Sequence, residues 1–363
     1  MPAKAGQLSL KLILEDGAVF TGQSFGFRGT AAGEVVFNTA MTGYPENLTD
    51  PSYFGQMLVA TYPLIGNYGV PDRVRENGML RNFESENIQV SGLIVADYSV
   101  AYSHWNASNS LDEWLRTEKV PGICGIDTRA LTKRLREKGT MCGKIIYDDA
   151  DISFYDPNAE NLVAKVSTPE PVTYGNGRYM IGLVDCGVKN NIIRCLLNRD
   201  ATVVKLPWDF DFTTRHFDGI VLSNGPGDPQ KCGKTISHIA KALNSNTPVF
   251  GICLGNQLLA LASGATTFKL KYGHRSHNQP VILAGSEKAF ITSQNHGFAV
   301  DETTLGSEWE PYFINLNDGT NEGIRHKTKP FFSSQFHPEA SSGPTDTEFL
   351  FDDFFNLIRN GKH

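Results

Sequence analysis

A chain of 363 residues, 40% hydrophobic and 20% charged, is long enough for two cores and has the make-up of a soluble globular protein. A formal charge of -6, with no long run of Lys or Arg, leaves no basic footprint for nucleic acid. No stretch approaches the roughly 18 apolar residues of a membrane span, and Met1-Pro-Ala-Lys-Ala-Gly lacks the apolar core of a signal peptide.

The first part, to about residue 150, alternates short β-like runs with glycine turns. The runs include an alternating segment from Leu8 to Leu14, then Glu34-Val-Val-Phe37, Met57-Leu-Val-Ala60 and Leu93-Ile-Val-Ala96. One helix is expected near its end, with Asp127 as cap, Leu131 and Leu135 on one face, and Gly139 closing it. Its cations Lys133, Arg134 and Arg136 read as a solvated or subunit-facing surface. From Asp149 to Arg178 the chain is rich in Asp, Asn, Pro and Gly, which marks a boundary. The expected division is a domain at 1–150, a linker at 151–177 and a second domain at 178–363.

Beyond the boundary the period changes. Tyr179 to Val184, Thr202 to Leu206 and Gly219 to Leu222 read as buried strands, and so does the run before Cys253. Val188 to Leu197 and Ile236 to Leu243 read as helices between them. Strands separated by helices call for a parallel sheet covered on both faces. The last helix is expected to begin at Thr345 with the capping box Thr345-Asp-Thr-Glu348, and to turn Phe349, Leu350, Phe354 and Leu357 inward. The fold class is therefore α/β: a β-rich N-terminal domain followed by a doubly wound α/β domain.

Six cysteines, at 124, 142, 186, 195, 232 and 253, are scattered without Cys-x-x-Cys spacing. That argues against a disulfide framework or a zinc site and for reduced thiols in a cytoplasmic setting. Five of them read as buried small hydrophobes. Cys253 differs, because Thr247-Pro-Val-Phe-Gly-Ile-Cys253-Leu-Gly255 is a strand, a glycine-flanked turn and a helix start, the grammar of a nucleophile elbow. A helix N-terminus favours thiolate, and glycines are needed because a Cβ on either side would crowd so sharp a turn.

The base to match it is His337 in Ser334-Gln-Phe-His337-Pro-Glu339, which would leave a strand on the same sheet edge. Glu339 is close enough to hold the far imidazole nitrogen, as the third member of a triad must. Ser223-Asn-Gly225-Pro-Gly227-Asp-Pro229 also follows a strand, and the backbone N–H groups of Gly225 and Leu254 are the expected oxyanion donors. His274, His277 and His296 lie on Gly- and Asn-rich loops without an acidic co-ligand nearby, so no metal site is expected.

Taken together, Gly-Ile-Cys-Leu-Gly-Asn-Gln, Ser-Asn-Gly-Pro-Gly-Asp-Pro, Ser293-Gln-Asn-His-Gly-Phe298 and Gln-Phe-His-Pro-Glu resemble a class I, triad-type glutamine amidotransferase domain. The front half resembles the N-terminal domain of the carbamoyl-phosphate synthetase small subunit. The segments that carry this are Gly33-Glu-Val-Val-Phe-Asn-Thr-Ala-Met-Thr-Gly-Tyr44, Leu48-Thr-Asp-Pro-Ser-Tyr53, Thr61-Tyr-Pro-Leu-Ile-Gly-Asn-Tyr-Gly69 and Gly125-Ile-Asp-Thr-Arg-Ala-Leu-Thr132, joined later by Tyr272-Gly-His-Arg-Ser-His-Asn-Gln-Pro280. The resemblance covers nearly the whole chain. It implies that Cys253 attacks the side-chain amide of L-glutamine, with His337 as proton shuttle and Glu339 orienting it. It further implies that Gln257, Ser52, Asn295, Gly297 and Phe298 hold the glutamine, with backbone groups of Gly225, Gly227 and Leu254, in a pocket to which both domains contribute.

In this family the ammonia passes through a tunnel to a large subunit that uses ATP, Mg and bicarbonate to make carbamoyl phosphate. No cofactor is expected in this chain, and it has no Gly-x-x-x-x-Gly-Lys-[Ser/Thr] phosphate loop. The partner expected is that large subunit in a heterodimer, whose higher assembly the resemblance leaves open along with the choice between pyrimidine and arginine supply. The chain's end soon after the last helix, at Asn360-Gly-Lys-His363, favours a separate large subunit. Many members have histidine where this chain has Asn256, a departure with consequences for local hydrogen bonding. Two alternatives remain: the glutaminase component of another synthetase, which would not carry this front domain, and a regulatory pseudo-glutaminase, which would have lost Cys253 or His337.

Overall fold

The computed structural model describes residues 9–361. Met1-Pro-Ala-Lys-Ala-Gly, Leu8 of the first alternating run, and Lys362 and His363 lie outside the described residues. The chain divides into two compact units, one made of residues up to 76 with 80–159, the other of 77–79 with 160 onward. Residues 160–177, expected as linker, thus pack with the second unit. Val163 is buried in its core, and Val172–Tyr174 is an edge strand of its sheet.

In the first unit, seven strands close into a barrel. They are β1 (Ser9–Leu14), β2 (Val19–Gly26), β3 (Ala31–Asn38), β4 (Gln56–Ile65), β5 (Gly92–Tyr98), β6 (Pro121–Cys124) and β7 (Met141–Ile146), in the order β1-β7-β3-β4-β5-β6-β2. Closure leaves no exposed sheet edge, so short strands suffice. Alternation supplies the interior: Leu10, Leu12 and Leu14 of β1 are fully buried. Helix α1 (Leu111–Thr117) opens on a capping box from Ser110 and Glu113. Helix α2 (Thr128–Lys138) follows expectation: the Asp127 carboxylate accepts from Ala130 N at 2.9 Å, Gly139 ends the helix at φ 105°, and Leu131 and Leu135 are fully buried. Of its cations, Arg134 and Lys138 pair with Asp16 across the surface.

The second unit is built on a ten-stranded mixed sheet. Its elements are β8 (Val172–Tyr174), β9 (Tyr179–Asp185), α3 (Asn190–Leu197), β10 (Ala201–Pro207), β11 (Gly219–Leu222), α4 (Gly233–Ala242), β12 (Val249–Ile252), α5 (Leu254–Ala262), β13 (Thr266–Leu283), β14 (Ala289–Asp301), β15 (Trp309–Asn315), β16 (Asn321–His326), β17 (Phe331–Ser334) and α6 (Phe349–Asn360). The sheet order is β8-β10-β9-β11-β12-β17-β16-β15-β13-β14. Strands β10, β9, β11, β12 and β17 are parallel to one another, and the wing from β16 to β14 is antiparallel.

Alternate residues of the parallel strands serve opposite faces. Ile181, Leu183, Val203, Val221 and Phe250 meet α3 and α6, through Ile192, Ile193, Leu196, Phe351 and Phe354. Val184, Leu206, Ile220, Leu222 and Val249 meet α4 and α5, through Ile239, Leu254, Leu258 and Leu259. The doubly wound expectation therefore holds for the parallel half. The antiparallel wing was not foreseen, and it corrects the placement of His274, His277 and His296, which sit on strands β13 and β14 and not on loops.

Helix α6 also differs from expectation. It starts at Phe349, not Thr345, and no side chain caps it. The Glu348 carboxylate expected in a capping box instead pairs with Arg199 at 3.3 Å. Leu350 and Phe354 point inward as expected, joined by Phe351, Phe355 and Ile358, while Phe349 and Leu357 are only partly buried. Among the described residues no helix is long and apolar enough to cross a membrane.

Candidate active site

Parallel strands β11, β12 and β17 deliver three loops to one edge of the sheet. Register pairs Leu222 with Gly251 and Ile252 with Ser334, so the loops after Leu222, Ile252 and Ser334 emerge side by side. Cys253 sits between β12 and α5 at φ 54°, ψ -102°, a left-handed conformation rarely adopted by a residue with a Cβ. The flanking glycines are required by space. A Cβ on Gly251 would lie 2.6 Å from Gly255 O, and one on Gly255 would lie 2.2 Å from Leu222 O. The turn is held by a hydrogen bond from Cys253 N to Ser334 O at 2.8 Å, which ties the elbow to β17.

Three residues beyond β17, His337 is pinned by its own N–H to Ser293 O of β14 at 2.9 Å. Its Nδ1 lies 2.7 Å from Glu339 Oε1. A carboxylate can only accept, so Nδ1 carries the proton and the neutral ring offers Nε2 as a lone pair. That Nε2 is buried without a hydrogen-bond partner, which is what a base awaiting a substrate requires. Burial opposes charge on His337, but the Glu339 carboxylate outweighs it and shifts the ring upward, assisted by the Cys253 sulfur. Glu339 is also buried, yet Lys189 and His337 hold its carboxyl well below the ordinary range.

Lys189 is a residue that sequence reasoning missed. Its ammonium is 3.0 Å from Glu339 Oε1 and donates to Ala340 O at 2.5 Å, with side-chain exposure of only 4%. Asn191 adds a bond from Nδ2 to Glu339 O at 2.5 Å, so the start of α3 clamps the backbone that carries the acid. The sequence signal was a lysine directly before a helix and shortly after a buried strand, where a solvated side chain is the usual expectation.

The Gly225 loop packs beside the elbow. A Cβ on Gly225 would come 2.0 Å from Cys186 O and 2.9 Å from the Leu254 side chain, so the loop backbone is packed against the elbow. Gly227 adopts φ 84° against Leu162. On the other side β14 passes over the sulfur, with Asn295 O 3.7 Å from Cys253 Sγ. Phe298 O accepts from Gln257 Nε2 at 2.9 Å and lies 2.8 Å from His296 Nδ1. The second unit thus brings together Cys253, His337, Glu339, Gly225, Leu254, Gln257, Asn295 and Phe298, with Gly297 on the same strand. Ser52 belongs to the first unit, where it is buried in the single turn Pro51–Tyr53 and its N–H bonds the Asp50 carboxylate at 2.9 Å.

The histidines of the wing do have an acidic neighbour, contrary to the sequence reading. His274 Nε2 is 2.8 Å from Asp318 and its Nδ1 is 3.4 Å from Glu322, two residues distant in sequence. Donor atoms of His274, His296 and Glu322 lie within 4.8 Å of one another. Burial disfavours charge on His274, but Glu322 and Asp318 overcome it and raise its pKa, the behaviour of a buried ion-paired network. His277 stands apart, 3.5 Å from the Ser342 hydroxyl, and burial pushes it down to about 4.

Two family descriptions match the chain: carbamoyl-phosphate synthase small chain, CPSase domain, over residues 12–145, and glutamine amidotransferase class-I over residues 182–357. A carbamoyl phosphate synthase arginine-specific small chain from Aspergillus niger is 51% identical over 356 residues, covering 95% of this chain and 79% of that protein. The chain belongs to the carbamoyl-phosphate synthase small-chain family. Mitochondrial carbamoyl-phosphate synthases [ammonia] from Aquarana catesbeiana and Homo sapiens are each 51% identical over 97% of this chain. The chain spans 24% of the length of those two proteins. Within the family the front domain corresponds to the barrel, and the amidotransferase domain to the unit that holds the Cys253 elbow.

Proposed function

We propose that this chain is the glutaminase subunit of a glutamine-dependent carbamoyl-phosphate synthetase. The observation that carries the reading is the elbow: a strained, buried thiol on a helix N-terminus beside a histidine whose Nδ1 is held by Glu339 and whose Nε2 is open. Cys253 sulfur attacks the side-chain carbonyl of L-glutamine while its proton goes to His337 Nε2. The N–H groups of Gly225 and Leu254 receive the oxyanion. As the adduct collapses, His337 returns the proton to the departing nitrogen, so ammonia leaves and a thioester remains. Water, deprotonated by His337, then adds to the thioester, and the sulfur departs to release glutamate.

Substrate contacts fall to Gln257, Asn295, Gly297, Phe298 and Gly227. The Gln257 amide nitrogen already serves Phe298 O, which leaves its amide oxygen for the ligand. The small-chain names of the fungal relatives support a partner large chain. That chain consumes the ammonia with ATP, Mg and bicarbonate, in a cytoplasmic heterodimer. Their arginine-specific names favour arginine supply as a destination of the product.

Cys253→Ser should lower glutamine hydrolysis by at least about a thousandfold while the protein remains folded. Wild-type turnover in that variant would remove the nucleophile assignment. Co-expressed with its large chain, the same variant should make carbamoyl phosphate from ammonia but not from glutamine. Loss of both activities, with the complex intact, would count against the division of labour.

A further inference from the structure

Buried beneath the elbow is a chain of side-chain hydrogen bonds that the triad does not use. Gln335, two residues before His337, has its Nε2 3.8 Å from Cys253 Sγ, within hydrogen-bonding range of sulfur. Its Oε1 accepts from Asn256 Nδ2 at 2.9 Å and from Gln257 Nε2 at 3.2 Å. Gln335 and Asn256 are fully buried and Gln257 nearly so, so water does not compete for these groups.

An amide's two ends are alike in shape, so its orientation must follow from its partners. One backbone group decides it here. Phe298 O is a carbonyl and only accepts, so the end of Gln257 that faces it at 2.9 Å is the NH2 group. The same NH2 faces Gln335, whose near end is therefore oxygen. The Gln335 oxygen so placed turns the Asn256 NH2 toward it at 2.9 Å and leaves Asn256 Oδ1 to accept from the Ser333 hydroxyl at 2.7 Å, while Ser333 Oγ accepts from Ile324 N–H at 3.1 Å. The Gln335 N–H is thereby turned toward the sulfur.

We propose that Gln335 donates a hydrogen bond to the Cys253 thiolate, and that Asn256, together with Gln257, is a positioning residue that holds the Gln335 amide with its N–H toward the sulfur. Asn295 O, at 3.7 Å, accepts the S–H of the neutral thiol and so favours the unreactive form. The Gln335 N–H gives the anion a partner that the neutral thiol does not need. Histidine at position 256 could do the same work, because one ring N–H suffices to donate to Gln335 Oε1.

This proposal rests on Cys253 being the nucleophile, and its test reads the thiolate directly. Iodoacetamide alkylation of the Cys253 peptide is followed by mass spectrometry across pH in the full-length protein, beside glutaminase kcat and KM. Gln335→Met removes the donor, and Asn256→Asp sets a carboxylate acceptor against Gln335 Oε1 at the shorter 2.9 Å contact, favouring the flipped amide over the 3.2 Å bond from Gln257. Each should slow alkylation at neutral pH by about tenfold, the worth of one hydrogen bond to a charged group, with kcat falling and KM little changed. Asn256→His should keep both rates within about threefold of the parent. Unchanged alkylation profiles in folded Gln335→Met and Asn256→Asp, judged by circular dichroism, would overturn the proposal. If Gln335→Met does not fold, Asn256→Asp alone decides it. If the parent alkylates normally but fails to hydrolyse glutamine, the glutaminase reading falls and the thiolate proposal stands.

Discussion

Cys253 is held at φ 54° because three neighbours leave the chain no other path: Gly251, Gly255 and the bond from Cys253 N to Ser334 O. Gly255→Ala should be among the most damaging single-atom changes, since its Cβ would strike Leu222 O and push α5 off the sheet. Loss of glutaminase activity with a melting temperature lowered by several degrees is expected, and thermal scanning checks it. Lys189 invites a sharper test. Its ammonium opposes protonation of His337 and supports ionised Glu339, so Lys189→Met should let the ring bind its proton more tightly. The acid limb of kcat/KM should then move to higher pH with a loss of at least about tenfold, and Lys189→Arg should restore part of it. An unshifted limb would reduce Lys189 to a packing role. Asn256, the departure in the elbow motif, has its place in the bonds to Ser333 and Gln335.

At the scale of elements, hydrophobic pattern located the parallel half of the sheet but not its wing. Gly219–Leu222 matches its expected bounds, and Tyr179–Asp185 and Ala201–Pro207 differ by a residue or so at their ends. Strands β13 and β14 escaped notice because glycine and polar residues interrupt their alternation, and long-range pairing, not local propensity, makes them strands. Helix α6 shows the opposite failure: a valid capping sequence went unused because Arg199 takes Glu348 and Asp352. Its apolar face carries weight regardless. Phe354→Ala, emptying space beside Phe250, should cost about 3–5 kcal/mol in urea unfolding.

The Glu339–His337 pair also links stability to pH. Glu339's carboxyl is lowered from 4.5, so its contribution is present above that value and fades as pH falls through the folded one. His337 is raised from 6.5, so its contribution is complete below 6.5 and fades as pH rises through the folded value. Glu339→Gln should therefore flatten both arms of the melting temperature plotted against pH. Equal curvature in parent and variant would dissociate the pair from stability.

For the whole molecule, the order of the motifs along the chain was enough to read two domains, an elbow nucleophile and its candidate partners in chemistry, because strand-turn-helix grammar and glycine spacing are local properties. Sequence alone thus singled out Cys253, His337 and Glu339 as candidates and determined the parallel core of the second unit and the β-rich character of the first. Closure of seven strands into a barrel, the antiparallel wing, the clamp by Lys189 and Asn191, and the bond chain from Ile324 and Phe298 to Gln335 were decided only by tertiary structure. Each joins residues far apart in sequence, and burying polar groups costs free energy unless they find partners, a demand no local pattern records.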